Sequence, residues 1–495
     1  MSNMDVDVVV VGAGNAAMCA ALSAKQNGAE RVVVLERAPI DEAGGNSRYT
    51  AGAMRVVFNG VDDLVGLMPD LTDDERENVD FGTYTRDQYF DDLGRICQYR
   101  SDPDLAELLI DRSHETMVWM RENGVRFSPS YGRQAFKVDG KYKFWGGLAV
   151  EAWGGGPGLV ESLAEALKRN DIEILYETRG MSLLEDEDGV TGVVARRGRT
   201  SMHINARAVV LACGGFESSA DWRTRYLGPG WDLVKVRGTR FNTGDGIRMA
   251  MDIGAMGYGN WSGCHAVGWD RNAPEFGDLA VGDNFQKHSY PLGIMVNADG
   301  ERFVDEGADF RNYTYAKYGK VILEQPGQFA WQIFDSKVLP MLRDEYRIRE
   351  VTKASANTLE ELSEKLDDVD PQAFLRTVEA YNAAVQTDVP FNPAIKDGRG
   401  TTGLDVPKTN WANRLDEPPY EAYAITCGVT FTFGGLRINE DGQVLDADGG
   451  TIPGLYAAGE LVGGLFYFNY PGGTGLVSGA VFGKLAGASA GRAAA

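Results

Sequence analysis

Gly12, Gly14 and Ala17 are spaced as G-x-G-x-x-A and directly follow Val6–Val11, an unbroken apolar run. Such a run reads as a strand buried on both faces of a parallel sheet. The chemistry this spacing supports is anion binding. A diphosphate must reach backbone N–H groups at a helix N-terminus, where the aligned peptide dipoles also favour negative charge. Gly12 permits the tight turn, Gly14 keeps a Cβ out of the ligand's path, and Ala17 lets helix and strand pack closely. Asn15 and Ala16 begin that helix. Glu36 lies 19 residues past Ala17, at the end of a second buried strand, Val32–Leu35, and Arg37 follows it. The Glu36 carboxylate can accept hydrogen bonds from a ribose diol, so strand, spacing and terminal acid together predict a dinucleotide site.

Three further features select FAD over NAD. Gly44, Gly45, Asn46 and Ser47, with Thr50, Ala51 and Gly52 beyond them, follow the second strand where a chain can run along a diphosphate and a flavin ring. Two later apolar strands end in small residues, one at Gly214-Gly215 and the other at Gly459-Glu460. The last helix begins after Gly472-Gly473-Thr474-Gly475, with Leu476 and Val477 in its first turn. Its N–H groups and positive dipole would face the flavin N1/O2 side and stabilise an anionic reduced ring. Asp245, in the segment Thr239–Gly246, is a further candidate for the cofactor wall.

The elements needed to position these residues form an α/β protein. The pattern predicts a discontinuous FAD-binding Rossmann-like domain, a parallel sheet with a β-meander, over 1–262 and 424–495, interrupted by an inserted α+β capping domain over 263–423. Residues 60–80 read as an acidic loop, 86–123 and 359–388 as helical, and the Asp188-Gly189 turn as a hairpin. The 71 acidic residues against 49 basic ones give a net charge of −22, which repels phosphate backbones and argues against nucleic-acid binding. No apolar stretch is long enough to span a membrane, and no signal peptide is expected. Cys19, Cys97, Cys213, Cys264 and Cys427 are scattered without C-x-x-C spacing, as reduced thiols of a cytoplasmic protein would be. No metal site is expected.

Beyond the opening motif and Gly44–Thr50, the segments Thr239–Gly246, Cys264-His265, Glu301–Phe310, Val406–Ala412, Val429–Leu436 and Tyr470–Phe482 resemble the fumarate reductase/succinate dehydrogenase flavoprotein superfamily. Within it they are most similar to the FAD-dependent tricarballylate dehydrogenase family. The resemblance implies an active site between the two domains and hydride transfer between a substrate C–C bond and flavin N5. It places His265 on a histidine that holds a substrate carboxylate. It places Arg311, after a shift of one residue, near an arginine that donates a proton, with Asp305 and Glu306 as acids able to orient it. Phe431, before Thr432, stands where fumarate reductases carry a second histidine, and Tyr470 where they carry a carboxylate-clamping arginine. Those replacements remove most of the recognition of a second carboxylate and disfavour fumarate and succinate. Tyr470-Pro471-Gly472-Gly473 is also similar to a stretch of 3-ketosteroid dehydrogenases in which the tyrosine hydroxyl polarises a ketone.

The expectation is therefore an FAD-dependent dehydrogenase that introduces a C=C bond beside a carboxylate or carbonyl, by loss of an α-proton and a β-hydride, with a tricarballylate-like substrate first. The alternatives are desaturation of a cyclic ketone or keto acid, and an enoate reductase resembling fumarate reductase. Arg311, Tyr470, His265 and Glu306 are the candidate catalytic residues. His265, Phe431, Thr432, Tyr470 and Gly473 are the candidate substrate residues. FAD is expected to be non-covalent, because no histidine lies near residues 45–55. Oxygen, a quinone or a redox protein would take the electrons. Trp261, Trp269, Tyr313 and Tyr315 read as core packing.

Overall fold

A computed structural model describes residues 2–495. The opening strand β1 (Ser2–Val11) leads through the Gly12 turn into α1 (Asn15–Gln26) and then β2 (Val32–Leu35). These form one βαβ unit, with β1 and β2 parallel. Val8, Val9 and Val10 are fully buried, as an all-apolar run flanked by helices requires.

The sheet continues through α2 (Gly155–Arg169), β3 (Glu173–Leu175), β4 (Thr178–Asp186), β5 (Gly189–Arg197) and β6 (Thr200–Leu211). Its order is β4-β5-β6-β1-β2-β3. The strands β3, β2, β1 and β6 are mutually parallel, whereas β4, β5 and β6 form an antiparallel meander.

A six-stranded sheet is built from β7 (Lys235–Val236), β8 (Gly257–Asp270), β9 (Ile294–Val296), β10 (Phe329–Phe334), β11 (Lys353–Ala356) and β12 (Tyr420–Leu436). The 17-residue β12 is its spine and pairs with β7, β8, β10 and β11. Strands β8 and β12 each run across one of the expected division points, 262 and 423. The chain then returns to the first sheet through β13 (Gln443–Leu445) and β14 (Thr451–Ala457), with β14 parallel to β6.

The stretch 60–80 is not the loop its acidity suggested. It contains short helices at Val61–Leu67 and Asp73–Asn78, the second fixed by a Thr72/Glu75 capping box. Acidic residues in the first turn favour a helix start through the dipole, so the charge that reads as loop stabilises helix here.

The final helix, α3 (Thr474–Ala494), lies along α1. Gly483, Gly487 and Gly491 face the backbone carbonyls of Ala16, Ala20 and Ala24 so closely that a Cβ at any of them would collide with the carbonyl. This seam of small residues brings the two helices backbone to backbone. Among the described residues no helix is long and apolar enough to cross a membrane, and all five cysteines are free thiols.

Candidate active site

A single cleft of about 1600 Å³, including its open mouth, runs from the β1–α1 turn to the edge of the six-stranded sheet. At one end Gly12 has φ +111°, and a Cβ there would strike the Ala212 carbonyl. Its N–H is bonded to Leu35 O at 2.7 Å, which ties the turn to β2. The N–H of Asn15, first in α1, is held by Ser47 Oγ at 3.1 Å. The buried Glu36 carboxylate accepts the N–H groups of Ala13 (3.0 Å) and Ala38 (2.7 Å). Arg37 and Arg179 converge on Asp245, with Arg179 bidentate at 2.7 and 2.6 Å.

These groups suit a dinucleotide: a helix start that its N-cap residue, Gly14, leaves uncapped for the diphosphate, a fixed carboxylate for a ribose, and glycine-lined walls. Gly12, Gly14, Asn15, Ala16, Glu36, Arg37, Gly45, Asn46, Ser47, Thr50, Ala51, Gly214, Asp245, Gly459, Glu460, Gly475 and Leu476 all line the cleft. Ala17, Gly44, Gly52, Gly215 and Val477 lie behind that lining. A Cβ on Gly215 would meet Thr432 Oγ1 and the Glu460 carboxyl, so Gly215 leaves room for them instead of facing a ligand.

The other end is built where β8 and β12 pair. His265 lies opposite Phe431 in that register, beside a bulge. The His265 ring packs between Tyr315 and Tyr470, with centroids 4.9 and 4.8 Å away. Gly473 and Phe431 complete this wall. Thr432 is turned away from the cleft; its N–H donates to Glu460 at 2.8 Å.

Arg311 enters from a short 3-10 turn, Arg311–Tyr313, and is buried. Its Nη1 reaches His288 Nδ1 at 3.5 Å, and its Nη2 donates to Arg133 O at 3.2 Å. Arg237 is gripped by Asp283 through Nε at 2.7 Å and Nη2 at 2.6 Å. Asp283 Oδ2 also accepts from Gln286 at 2.7 Å and lies 3.4 Å from Arg133.

At this end three guanidinium groups, Arg133, Arg237 and Arg311, face one carboxylate, Asp283. Burial, helped by Arg237, pushes His265 well below the usual imidazole value. Burial and then Arg311 do the same to His288, so both rings are neutral. Burial, with the Arg343 guanidinium adding to it, pulls Arg311 down to about 9. Burial opposes the charge on Arg237, but Asp283 together with Tyr315 and Tyr470 more than offsets it and raises that group above its usual value. Burial raises both the Tyr315 and Tyr470 phenols, which keeps them as O–H donors. Among the described residues, His265 Nε2, His288 Nε2 and Arg311 Nε are buried without a hydrogen-bonding partner. Three such atoms, on residues that line one cleft, call for a polar ligand, because buried polar atoms left unpaired are costly.

Of the residues expected from sequence, His265, Arg311, Tyr470, Phe431 and Gly473 come together here. Glu306 does not line the cleft. Its carboxylate holds Arg302 at 2.5 and 3.1 Å and accepts the N–H of Met295 at 2.8 Å. The acid that the sequence set beside Arg311 thus belongs to Arg302, four residues before it. Asp305 caps backbone N–H groups of Gly307 and Thr409. Tyr315, read as core packing, lines the cleft, whereas Tyr313 lies behind it, bonded to Asp92 and Gly146. Arg237, His288, Asp283 and Arg133 carried no sequence expectation. The available signals were the scarcity of histidine, four in the chain, and the position of Arg237 just before the Thr239–Gly246 segment.

The FAD binding domain family matches residues 7–476. A probable fumarate reductase of Shewanella frigidimarina is 30% identical over 492 residues, covering 98% of this chain and 74% of that protein. A 4-oxocyclohexanecarboxylate 2-dehydrogenase of Sinomonas cyclohexanicum is 28% identical, covering 94% and 89%. The open conformation of a flavocytochrome c3 fumarate reductase superposes with a TM-score of 0.73 at 26% identity, over 99% of this chain and 79% of the other.

Proposed function

Since the chain belongs to the FAD binding domain family of flavoproteins, and with it to the fumarate reductase and succinate dehydrogenase superfamily, we propose that it is a dehydrogenase introducing a C=C bond beside a carboxylate or carbonyl. At the coarser level it is an FAD-dependent oxidoreductase acting on CH–CH bonds. The observation that carries the finer reading is the convergence of His265 Nε2, His288 Nε2 and Arg311 Nε, all buried and unpaired, on a region with two more guanidinium groups than carboxylates.

FAD, when bound, supplies the acceptor for the two electrons of the substrate C–H bond. The chain supplies the rest. Arg311, Arg133 and the neutral His265 and His288 hold substrate carboxylate oxygens through charge-assisted hydrogen bonds. The Tyr470 hydroxyl donates to the oxygen next to the reacting carbon and so acidifies its α-C–H. Arg311, with its lowered affinity for protons, takes up the α-proton. Phe431 and Leu148 give an apolar wall for the carbon skeleton. A tricarballylate-like polycarboxylate is the first substrate class, supported by the positive balance of the site. The electrons then pass to an external acceptor.

A second reading, desaturation of a cyclic ketone or keto acid, is favoured by the Tyr470 hydroxyl. Its oxygen accepts the Gly475 N–H at 2.7 Å, which leaves its proton free for a carbonyl. Anaerobic flavin bleaching distinguishes the readings. Bleaching by tricarballylate supports the first and bleaching by a cyclic keto acid the second. If neither bleaches the flavin while reduced dye drives turnover of an enoate, the enzyme works in the reducing direction and the dehydrogenase reading fails.

A further inference from the structure

Glu460, in the cleft wall, faces Glu217 behind it, and both are buried. Glu217 follows the Gly214-Gly215 turn after β6, and Glu460 follows β14. Glu217 Oε1 accepts the side-chain amides of Asn46 and Asn242, each at 2.6 Å. Its Oε2 is buried and meets no donor among the described residues. Glu460 Oε1 accepts Thr432 N at 2.8 Å and Thr432 Oγ1 at 3.2 Å. The two carboxyl groups are within hydrogen-bonding reach of each other.

Two carboxylates cannot both stay ionised at such a separation away from water. A carboxylate oxygen without a donor, facing a second carboxyl group, is satisfied by one proton between them. We propose that Glu217 and Glu460 share a single proton and act as positioning residues for the FAD site, locking its wall through Asn46, Asn242 and Thr432.

The reach of the lock follows from its bonds. Asn46 lines the cleft, donates to Thr430 O at 2.7 Å and accepts the Thr239 N–H at 2.9 Å. Five segments therefore meet at the pair: the Gly45–Tyr49 turn, the Gly214–Glu217 turn, the Thr239–Asn242 loop, β12 and the Gly459–Leu461 turn. Burial raises both acids, and Glu217 raises Glu460 further. The other titratable groups facing the pair are Arg223, whose Nη1 donates to the Glu217 carbonyl at 2.5 Å, and the Cys264 thiol. Neither bonds to a carboxyl oxygen of the pair. As pH rises and the shared proton leaves, two facing charges push these segments apart and the grip on FAD weakens.

The test uses holoenzyme without substrate, so it is independent of which molecule the enzyme oxidises. FAD release is followed by flavin fluorescence from neutral to alkaline pH, alongside circular dichroism to mark unfolding. Wild-type protein should release FAD at least tenfold more readily on the alkaline side while still folded. Glu217→Gln supplies a permanent N–H in place of the proton and an amide oxygen for Asn46 and Asn242. It should hold FAD at neutral pH within about threefold of wild type and show no alkaline break. Glu217→Ala should release FAD faster at every pH. In the infrared difference spectrum at neutral pH, wild type minus Glu217→Gln should show one protonated carboxyl band. Absence of that band, or an alkaline break that persists in Glu217→Gln, overturns the proposal.

Discussion

The hydroxyl oxygen of Tyr470 accepts the backbone N–H of Gly475 at 2.7 Å, so a side chain of the substrate end is fastened to the start of the last helix. The helix dipole faces that oxygen, and its own proton stays free for a further acceptor. Replacing Tyr470 by Phe removes the donor and leaves the packing on His265 and Phe466 intact. Substrate-driven flavin reduction in Tyr470→Phe, measured by stopped flow, should fall about a hundredfold with FAD content unchanged. Unaltered rates would remove Tyr470 from the chemistry.

Arg311 gives the activity a pH signature. Its value of about 9 means that the neutral, proton-accepting form grows as pH approaches 9. Dehydrogenation should rise towards that pH and level off above it, whereas the reductive direction, which needs the charged form, should decline there. Arg311→Met should abolish this limb and lower turnover by about a thousandfold. The stability effect has the opposite sign. A buried base with a lowered proton affinity opposes folding while charged, below about pH 9, and the opposition is relieved above it. Arg311→Met should therefore raise stability at neutral pH by about 1 kcal/mol, read from the thermal midpoint. A pH profile that Arg311→Met leaves unchanged would exclude this residue as the proton carrier.

Among the described residues Asp283 is the only carboxylate against which Arg237 is held, and both side chains are more than nine-tenths buried. Asp283→Ala strands a buried guanidinium and should cost about 3 kcal/mol in urea unfolding. Joint replacement with Arg237→Met should recover most of that loss. Additive losses in the double variant would mean that the pair is not coupled.

Glu36 serves the other end of the cleft. Glu36→Ala leaves the N–H groups of Ala13 and Ala38 without their acceptor and removes the carboxylate offered to a ribose. Apoprotein carrying Glu36→Ala should take up FAD with affinity reduced about tenfold or more, by titration of flavin fluorescence. Equal affinity would assign the recognition elsewhere.

The two ends of the cleft differ in how readily a sequence discloses them. The Gly12–Ala17 turn, Glu36 and the final helix are local devices whose function depends on short spacings and on strand or helix patterns. They were readable, as were β1, β2 and the meander. The substrate end is assembled across the chain. Arg133 reaches Asp283 and supplies its carbonyl to Arg311, while Arg237 pairs with Asp283 from another element. No spacing links these positions, so nothing in the order of residues announces them. Glu306 illustrates the converse error. Its place in Glu301–Phe310 suggested service to Arg311, but two side chains four apart met instead, and Arg302 took the carboxylate. The helices within 60–80 were hidden for a similar reason, because an acidic first turn and an acidic loop look alike until the capping box closes.

The glycine seam between α1 and α3 carries a consequence for the cofactor. Each of these helices opens onto the cleft, one at the β1–α1 turn and the other beside Tyr470. The gap between their starting points is set by how deeply Gly483, Gly487 and Gly491 let one backbone settle on the other. That line of missing methyl groups therefore sets how close the two helix starts stand, near enough for Asn15 Nδ2 to donate to Leu476 O at 2.7 Å. A single methyl added far down it, at a residue outside the cleft lining, should part the two starts and leave a chain that still folds but comes out pale.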